Sequence, residues 1–231
     1  MKRDYGQHCA LARALDVVGS RWTMLIIREL LPGPRRYKDL LDGLPGMGTN
    51  LLTDRLRHLE QEGIVERRTL PPPAGSTVYE LSAEGRRLEA AVFELARWGM
   101  PRLGERRAKD RLSARWALLA MKAGANLEAA HGVSDTYAFR VGEELFTVEV
   151  ADGETRLFDG PAPAPDVVVT TDVETLYELG SDPEAARAAV DDGRLRAEGD
   201  PEAIARCTAI FLPRPGSGLM AEAAVATAER S

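Results

Sequence analysis

Apolar residues recur at two different periods along this chain, and the change of period marks its parts. Leu11, Leu15 and Val18 fall on one face of a helix, and Trp22, Leu25, Ile26 and Leu30 on one face of a second, with Ser20 as its expected N-cap. Pro32-Gly33-Pro34 stops that helix. Helical spacing returns at Tyr37, Leu40, Leu41 and Leu44, breaks at Pro45-Gly46-Met47-Gly48, and resumes at Leu52, Leu56 and Leu59, with Thr49 as the expected N-cap and Gly63 as the C-cap. The period then drops to two. Ile64 to Arg68 and Thr77 to Leu81 are expected strands around the tip Pro71 to Ser76. Ser82 is expected to cap a long helix that aligns Leu88, Ala91, Val92, Leu95 and Trp98 and ends at Pro101. Two short helices joined by a glycine turn and followed by a hairpin make a winged helix-turn-helix.

Beyond Lys109-Asp110-Arg111, the expected hinge, the pattern starts afresh. A helix is expected to carry Trp116, Leu119, Ala120, Ala123 and Leu127 on one face. The alternations Tyr137, Phe139, Val141 and Phe146, Val148, Val150 predict strands, with Asp152-Gly153 as a tight hairpin turn and Thr155 to Phe158 as a third strand. Pro161, Pro163 and Pro165 mark a loop, and Val167-Val168-Val169 is expected as a short, fully buried strand. Asp182 and Asp200 each precede a proline in a D-P-E-A unit, the order expected of an N-cap and a first helical residue, and Gly193 ends the helix between them. Pro213 to Gly218 reads as a loop and Leu219 to Ser231 as a frayed end. Antiparallel strands first and helices afterwards specify an α+β layer with the helices on one face. The expected domains are 1–108, winged helix-turn-helix, and 112–231, an antiparallel sheet plus helices.

Charge assigns the two parts different partners. The chain is acidic overall, at −6. Residues 1–111 nevertheless hold 20 Lys and Arg against 15 Asp and Glu, a net of +5, whereas residues 112–231 hold 10 against 21, a net of −11. A phosphate backbone would attract the first part and repel the second. The two cysteines, Cys9 and Cys207, lie one in each part and suggest a reducing, cytoplasmic setting without a disulfide framework. The first residues lack the apolar run of a signal peptide, and no stretch approaches the length needed to span a bilayer, so no membrane partner is expected.

The first hundred residues resemble the HxlR-type branch of the MarR-like winged-helix regulators. The resemblance is carried by Cys9, Ala14-Leu15-Asp16, Gly19 to Thr23, Ile27 to Leu30, Gly33 to Tyr37 and Leu44-Pro45-Gly46. It continues through Leu51 to Leu56, Leu59 to Val65 and Tyr79 to Gly85. It implies a homodimer that binds a near-palindromic double-stranded DNA site. The amphipathic first and last helices of the domain fit packing across a two-fold axis. With Leu52, Leu56 and Leu59 inward, Thr49, Asn50, Thr53, Asp54 and Arg57 are left on the outer face, where Thr49, Asn50, Thr53 and Arg57 are the candidate base and phosphate contacts. Arg35, Arg36 and Lys38 precede the turn as candidate backbone contacts, and Arg68, Ser76 and Thr77 are those of the wing. At most one of Arg67 and Arg68, on alternating faces, can point to DNA, and Arg55 reads as a solvated surface charge. Cysteines at the position of Cys9 in similar regulators can sense oxidants, although His8 precedes it here and Ala10 follows where the family more often has proline.

Leu112 to Leu212 resembles the sterol carrier protein type-two fold, carried by Gly142 to Phe146, Asp166 to Thr170 and Gly193 to Glu202. That fold implies an apolar interior for a lipid or other hydrophobic small molecule. Trp116, Phe139, Phe146, Phe158, Leu176, Tyr177, Phe211 and Leu212 are the large apolar residues available to line it, and each would serve equally as core. The three histidines lie in different segments, and neither a metal-ligand spacing nor a phosphate loop nor a nucleophile elbow is present, so a non-enzyme without cofactor is expected. The expected activity is transcription control modulated by a hydrophobic molecule. Two alternatives stay open: a ligand-free second domain used for dimerisation or partner binding, and a lipid carrier whose winged helix docks proteins.

Overall fold

The computed structural model describes residues 4–71, 75–104, 106–181 and 183–212, the side chains at 180, 181, 183 and 184 excepted. The expected wing tip at Pro72-Pro73-Ala74, the cap at Asp182, and the loop and end beyond Leu212 lie outside the described residues. The chain divides into two compact units, Met1–Val92 and Phe93–Ser231. No helix among the described residues is long and apolar enough to cross a membrane.

The first unit runs α1 (Ala10–Val18), α2 (Thr23–Leu30), β1 (Arg35–Arg36), α3 (Tyr37–Asp42), α4 (Thr49–Gln61), β2 (Val65–Thr69), β3 (Thr77–Leu81) and α5 (Ala83–Arg86). Its sheet has the order β1-β3-β2, with all pairs antiparallel. Ile26, Ile27, Leu30, Leu40, Leu44, Leu52, Leu56 and Leu59 form its fully buried centre. The end of α4 follows from Gly63. At φ +70 this glycine lets Ile64 N–H reach the Leu59 carbonyl (2.9 Å) and its own N–H reach that of Glu60 (3.1 Å), which satisfies two carbonyls the helix would leave bare.

Several local expectations are corrected. Helix α2 starts at Thr23, not after Ser20, because Trp22 adopts φ +80 and ends the lead-in; its buried stripe is Thr23, Ile26, Ile27 and Leu30, and Leu25 faces out. Thr49 is the first helical residue of α4, and Gly48 occupies the cap without a side chain to offer. On α1 only Ala12 is buried, while Leu11 and Leu15 are 67% and 40% exposed. The long helix after the wing is two helices: α5, capped by Ser82 Oγ accepting from Gly85 N–H (3.0 Å), and α6 (Glu89–Gly99), which spans the division between units. Gly85 is where α5 touches the strand entry, since a Cβ there would stand 2.1 Å from the Ile64 carbonyl oxygen.

The second unit continues with a 3-10 turn (Met100–Arg102), α7 (Ala114–Ala123), β4 (Ser134–Val141), β5 (Glu144–Ala151), β6 (Glu154–Asp159), β7 (Val167–Thr171), α8 (Val173–Ser181), α9 (Pro183–Asp191), β8 (Arg196–Gly199) and α10 (Pro201–Phe211). Around Lys109 the chain forms neither helix nor strand, and Arg107 binds Asp110 within that stretch (2.9 Å). The strand order is β6-β5-β4-β7-β8. Asp152 and Gly153, both at positive φ, make the expected β5–β6 turn.

The α+β class holds, with one correction to the sheet: β4 and β7 pair in parallel, so the sheet is mixed rather than antiparallel. β7 alternates instead of being buried throughout, with Val167 and Val169 inside and Val168 half-exposed, and β8 was not anticipated because its four residues are all exposed. The register puts Tyr137, Phe139, Phe146, Val148, Leu157, Val167 and Val169 on one face. Phe211 of α10 meets Tyr137 and Phe139 there edge-on, with centroids 5.9 and 6.5 Å apart. On α7 the buried residues are Ala114, Arg115, Ala117, Leu118, Leu119 and Ala123, so Ala120 is outward and Leu127, beyond the helix end, is 52% exposed. Asp200 caps α10 as expected, accepting from Ala203 N–H at 3.0 Å ahead of Pro201.

Candidate nucleic-acid interface and apolar interior

Burial of Leu52, Leu56 and Leu59 turns the opposite face of α4 outward, and Thr49, Asn50, Thr53, Asp54 and Arg57 are all exposed on it. Asn50 makes no side-chain hydrogen bond among the described residues, which leaves its amide free to pair with a base edge. Arg57 stands 3.7 Å from Asp54, both side chains being about two-thirds in water, so that ion pair is worth little and yields readily to a phosphate. Arg55 is half-buried, and its Nε is buried without a partner among the described residues, unlike the solvated charge expected.

The N-terminus of α4 is tied to α3. Tyr37 Oη donates to the Thr49 carbonyl (2.6 Å) and lies 3.1 Å from Thr53 Oγ1, which itself donates to the Thr49 carbonyl (3.0 Å). Sequence periodicity marks Tyr37 only as a helix-face residue. Trp22 lies on another side of the same device: a Cβ on Gly46, in the turn between α3 and α4, would meet its ring at 3.9 Å.

The three basic residues before the turn divide. Arg36 and Lys38 are exposed. Arg35 is directed back into the protein, where its guanidinium binds Glu29 Oε2 (3.2 Å) while Arg28 binds Oε1 (2.7 Å); the Glu29 side chain is 1% exposed. In the wing, Arg68 pairs with Glu80 (2.7 Å), whereas Arg67 is exposed across from Tyr79. Arg67 thus lies on the face of the ribbon opposite to Arg68 and Glu80. The signal lay in the register: Arg68 stands opposite Val78, two residues from Glu80 on the same face of the neighbouring strand. Ser76 and Thr77 are half-buried beside the tip.

In the second unit the structure gathers Phe139, Phe146 and Phe211 on the helix-covered face of the sheet, with Leu176 buried and Trp116, Tyr177 and Leu212 half-buried. Phe158 is not among them. It sits across from Thr147 on the opposite face of the sheet and is 37% exposed.

Two charged groups on the covered face had no signal in the sequence, because acidic and basic residues read by default as surface. Arg115 binds Asp159 and lies 5.9 Å from the Phe146 ring centre. Asp135, 8% exposed, accepts from Arg206 Nε and Nη2 (2.7 and 3.0 Å) and from Tyr137 Oη (2.7 Å). Arg206 chiefly, with Tyr137 assisting against the cost of burial, holds the Asp135 carboxyl below its ordinary range. Burial first, then the hydrogen bond to Asp135, pushes the Tyr137 phenol up.

The cysteines are equally unlike. Cys9 is exposed at the start of α1, while Cys207 is buried on α10 and its thiol is pushed up to about 12 by burial. Titration of the native protein with an aromatic disulfide at pH 8 is expected to modify Cys9 promptly and Cys207 only after denaturant is added. Two fast thiols would contradict this placement.

Residues 17–107 match the HxlR-like helix-turn-helix family, and residues 117–211 match the SCP-2 sterol transfer family. The HTH-type transcriptional regulator YodB of Bacillus subtilis is 38% identical over 85 residues, which cover 37% of this chain and 76% of that one. The HTH-type regulator sll1512 of Synechocystis sp., itself uncharacterised, is 37% identical over 94 residues, covering 41% of this chain and 70% of that one. Among solved structures, the reduced form of YodB from B. subtilis matches with 33% identity and a TM-score of 0.38, covering 42% of this chain and 97% of that one. The chain thus belongs to the HxlR-like helix-turn-helix family of transcriptional regulators, with a domain of the SCP-2 sterol transfer family following its winged helix.

Proposed function

We propose that two copies of this chain bind a near-palindromic DNA site, with α4 of each in successive major grooves, and that a hydrophobic molecule held by the second unit modulates that binding. The observation that carries the DNA reading is the outward face of α4: Asn50, Thr53 and Arg57 stand clear of a helix anchored by three buried leucines. Arg36, Lys38 and Arg67 are the cations best placed to hold the phosphate backbone around it. Support for a dimer comes from apolar side chains that the single chain leaves in water, Leu11 and Leu15 on α1 and, separately, Leu95 and Trp98 on α6. Support for a ligand comes from the family of the second unit and the aromatic cluster under α10. A ligand can shift DNA affinity only through different affinities for the free and bound protein, so equal affinity for both forms would sink the modulation.

The DNA reading is tested by fluorescence anisotropy with DNA from upstream of the protein's own gene and with sites selected from a random pool, over a salt series. Affinity is expected to fall steeply with salt, with two chains per site by sedimentation. Arg57→Ala is expected to weaken binding about tenfold. Equal affinity for selected and random DNA would reject sequence reading.

A further inference from the structure

We propose that Thr53 reads the 5-methyl group of a thymine through its own γ-methyl rather than through its hydroxyl. The inference deepens the DNA-reading role assigned to α4 and rests on it. Thr53 Oγ1, Tyr37 Oη and the Thr49 carbonyl oxygen form a closed triangle, with sides of 3.0, 2.6 and 3.1 Å. The two hydroxyls bring two protons to three contacts. Both protons can go to the carbonyl, or one of them can pass between the hydroxyls in either direction. In every one of these arrangements the single Thr53 proton is used inside the triangle, so none is left to give to a base or a phosphate.

A threonine hydroxyl turned back along its helix is ordinary, and alone it could swing out at small cost, because threonine in a helix divides between two rotamers. Here the phenol supplies a second contact from a different helix, so swinging out would break the Tyr37 contact as well as the back-bond. The hydroxyl is held inward and the β-branch leaves the methyl as the outward chemistry of an exposed residue on the reading face. A free threonine hydroxyl pairs with several bases, whereas a methyl prefers the methyl of thymine. The triangle therefore turns a permissive contact into a selective one.

The test uses the full-length protein and a DNA site selected by it from a random pool. Each thymine in turn, in both half-sites, is replaced by uracil, which removes only the methyl. At one symmetric position the wild type is expected to bind the uracil site about fifteenfold more weakly, roughly fourfold for each lost methyl contact. Thr53→Val, which keeps the methyl, is expected to preserve that ratio, and Thr53→Ser, which keeps the hydroxyl, to bring it near one. The proposal is overturned if no thymine is sensitive, if Thr53→Ser retains the discrimination, or if Thr53→Val loses it. A pool that fails to enrich any sequence would instead remove the DNA-reading role itself, and this proposal with it.

Discussion

Replacing Glu29 by alanine is expected to lower the stability of the first unit by about 3 kcal/mol and to weaken DNA binding in the same variant. Removing the carboxylate takes away the anion that Arg28 and Arg35 both bind, at a side chain only 1% exposed. A pair broken at its buried side costs far more than a surface pair, because water can replace the lost carboxylate only in part. The contrast is available in the same unit. Arg68 and Glu80 make a bridge of similar length, but Arg68 is 52% exposed, and Glu80→Ala is expected to cost less than about 1 kcal/mol. Denaturant unfolding followed by the fluorescence of Trp22, the tryptophan of the first unit, separates the two cases. Equal losses in both variants would show that the Glu29 site is no more than a surface ion pair. The effect on DNA follows from position: Arg35 opens the two-residue strand that leads directly into α3, so loosening its anchor loosens the start of the helix-turn-helix.

Asp135→Ala is expected to cost the second unit about 2 kcal/mol, mainly because the Tyr137 hydroxyl, on a residue wholly shielded from water, is left without an acceptor. Arg206 can turn to solvent; the phenol cannot. Tyr137→Phe in an otherwise intact protein is expected to be mild, since Asp135 keeps both bonds from Arg206. The double variant Asp135→Ala/Tyr137→Phe is then expected to be more stable than Asp135→Ala alone, because no hydroxyl is stranded. A double variant that loses the sum of the two single costs would reject the coupling. The pH dependence has a definite sign. The Asp135 carboxyl is held below its reference value of 3.8 in the folded protein, so its contribution is complete well above that value and is lost as pH falls through the lower folded value. The gap between wild type and Asp135→Ala should accordingly narrow below about pH 4.

Periodicity reported the elements well wherever one side of an element is in water and the other in a core. The strand Thr77–Leu81 and the hairpin turn at Asp152-Gly153 emerged where expected for that reason. On α1 it marked a stripe whose Leu11 and Leu15 stay exposed, as a face packing outside the single domain would, and it misled on Leu25, which faces out while Thr23 and Ile27 are buried. β8 escaped notice because an edge strand with every residue exposed has no apolar alternation to read. The parallel pairing of β4 and β7 could not be read locally at all, since it depends on the path between them. Among the site residues, the outer face of α4 was legible because three leucines define its inner face. The inward turn of Arg35 was not, because it requires a carboxylate six residues earlier on another element, and the outward turn of Phe158 followed from register with β5.

The place of α10 in the chain has a consequence for biosynthesis. Asp135 and Tyr137 emerge early in the second unit, but Arg206 follows Asp135 by 71 residues. At translation rates of ~5–20 residues per second, the ribosome leaves that carboxylate without its partner for roughly 4–14 s. During this interval the β4–β5–β6 ribbon can form through its two tight turns, yet its apolar face still lacks the Phe211 ring that packs on Tyr137 and Phe139. The unpaired Asp135 charge keeps one end of that face hydrated until α10 is made. The first unit is by then fully synthesised, so the nascent chain carries a finished winged helix while the second unit still awaits α10.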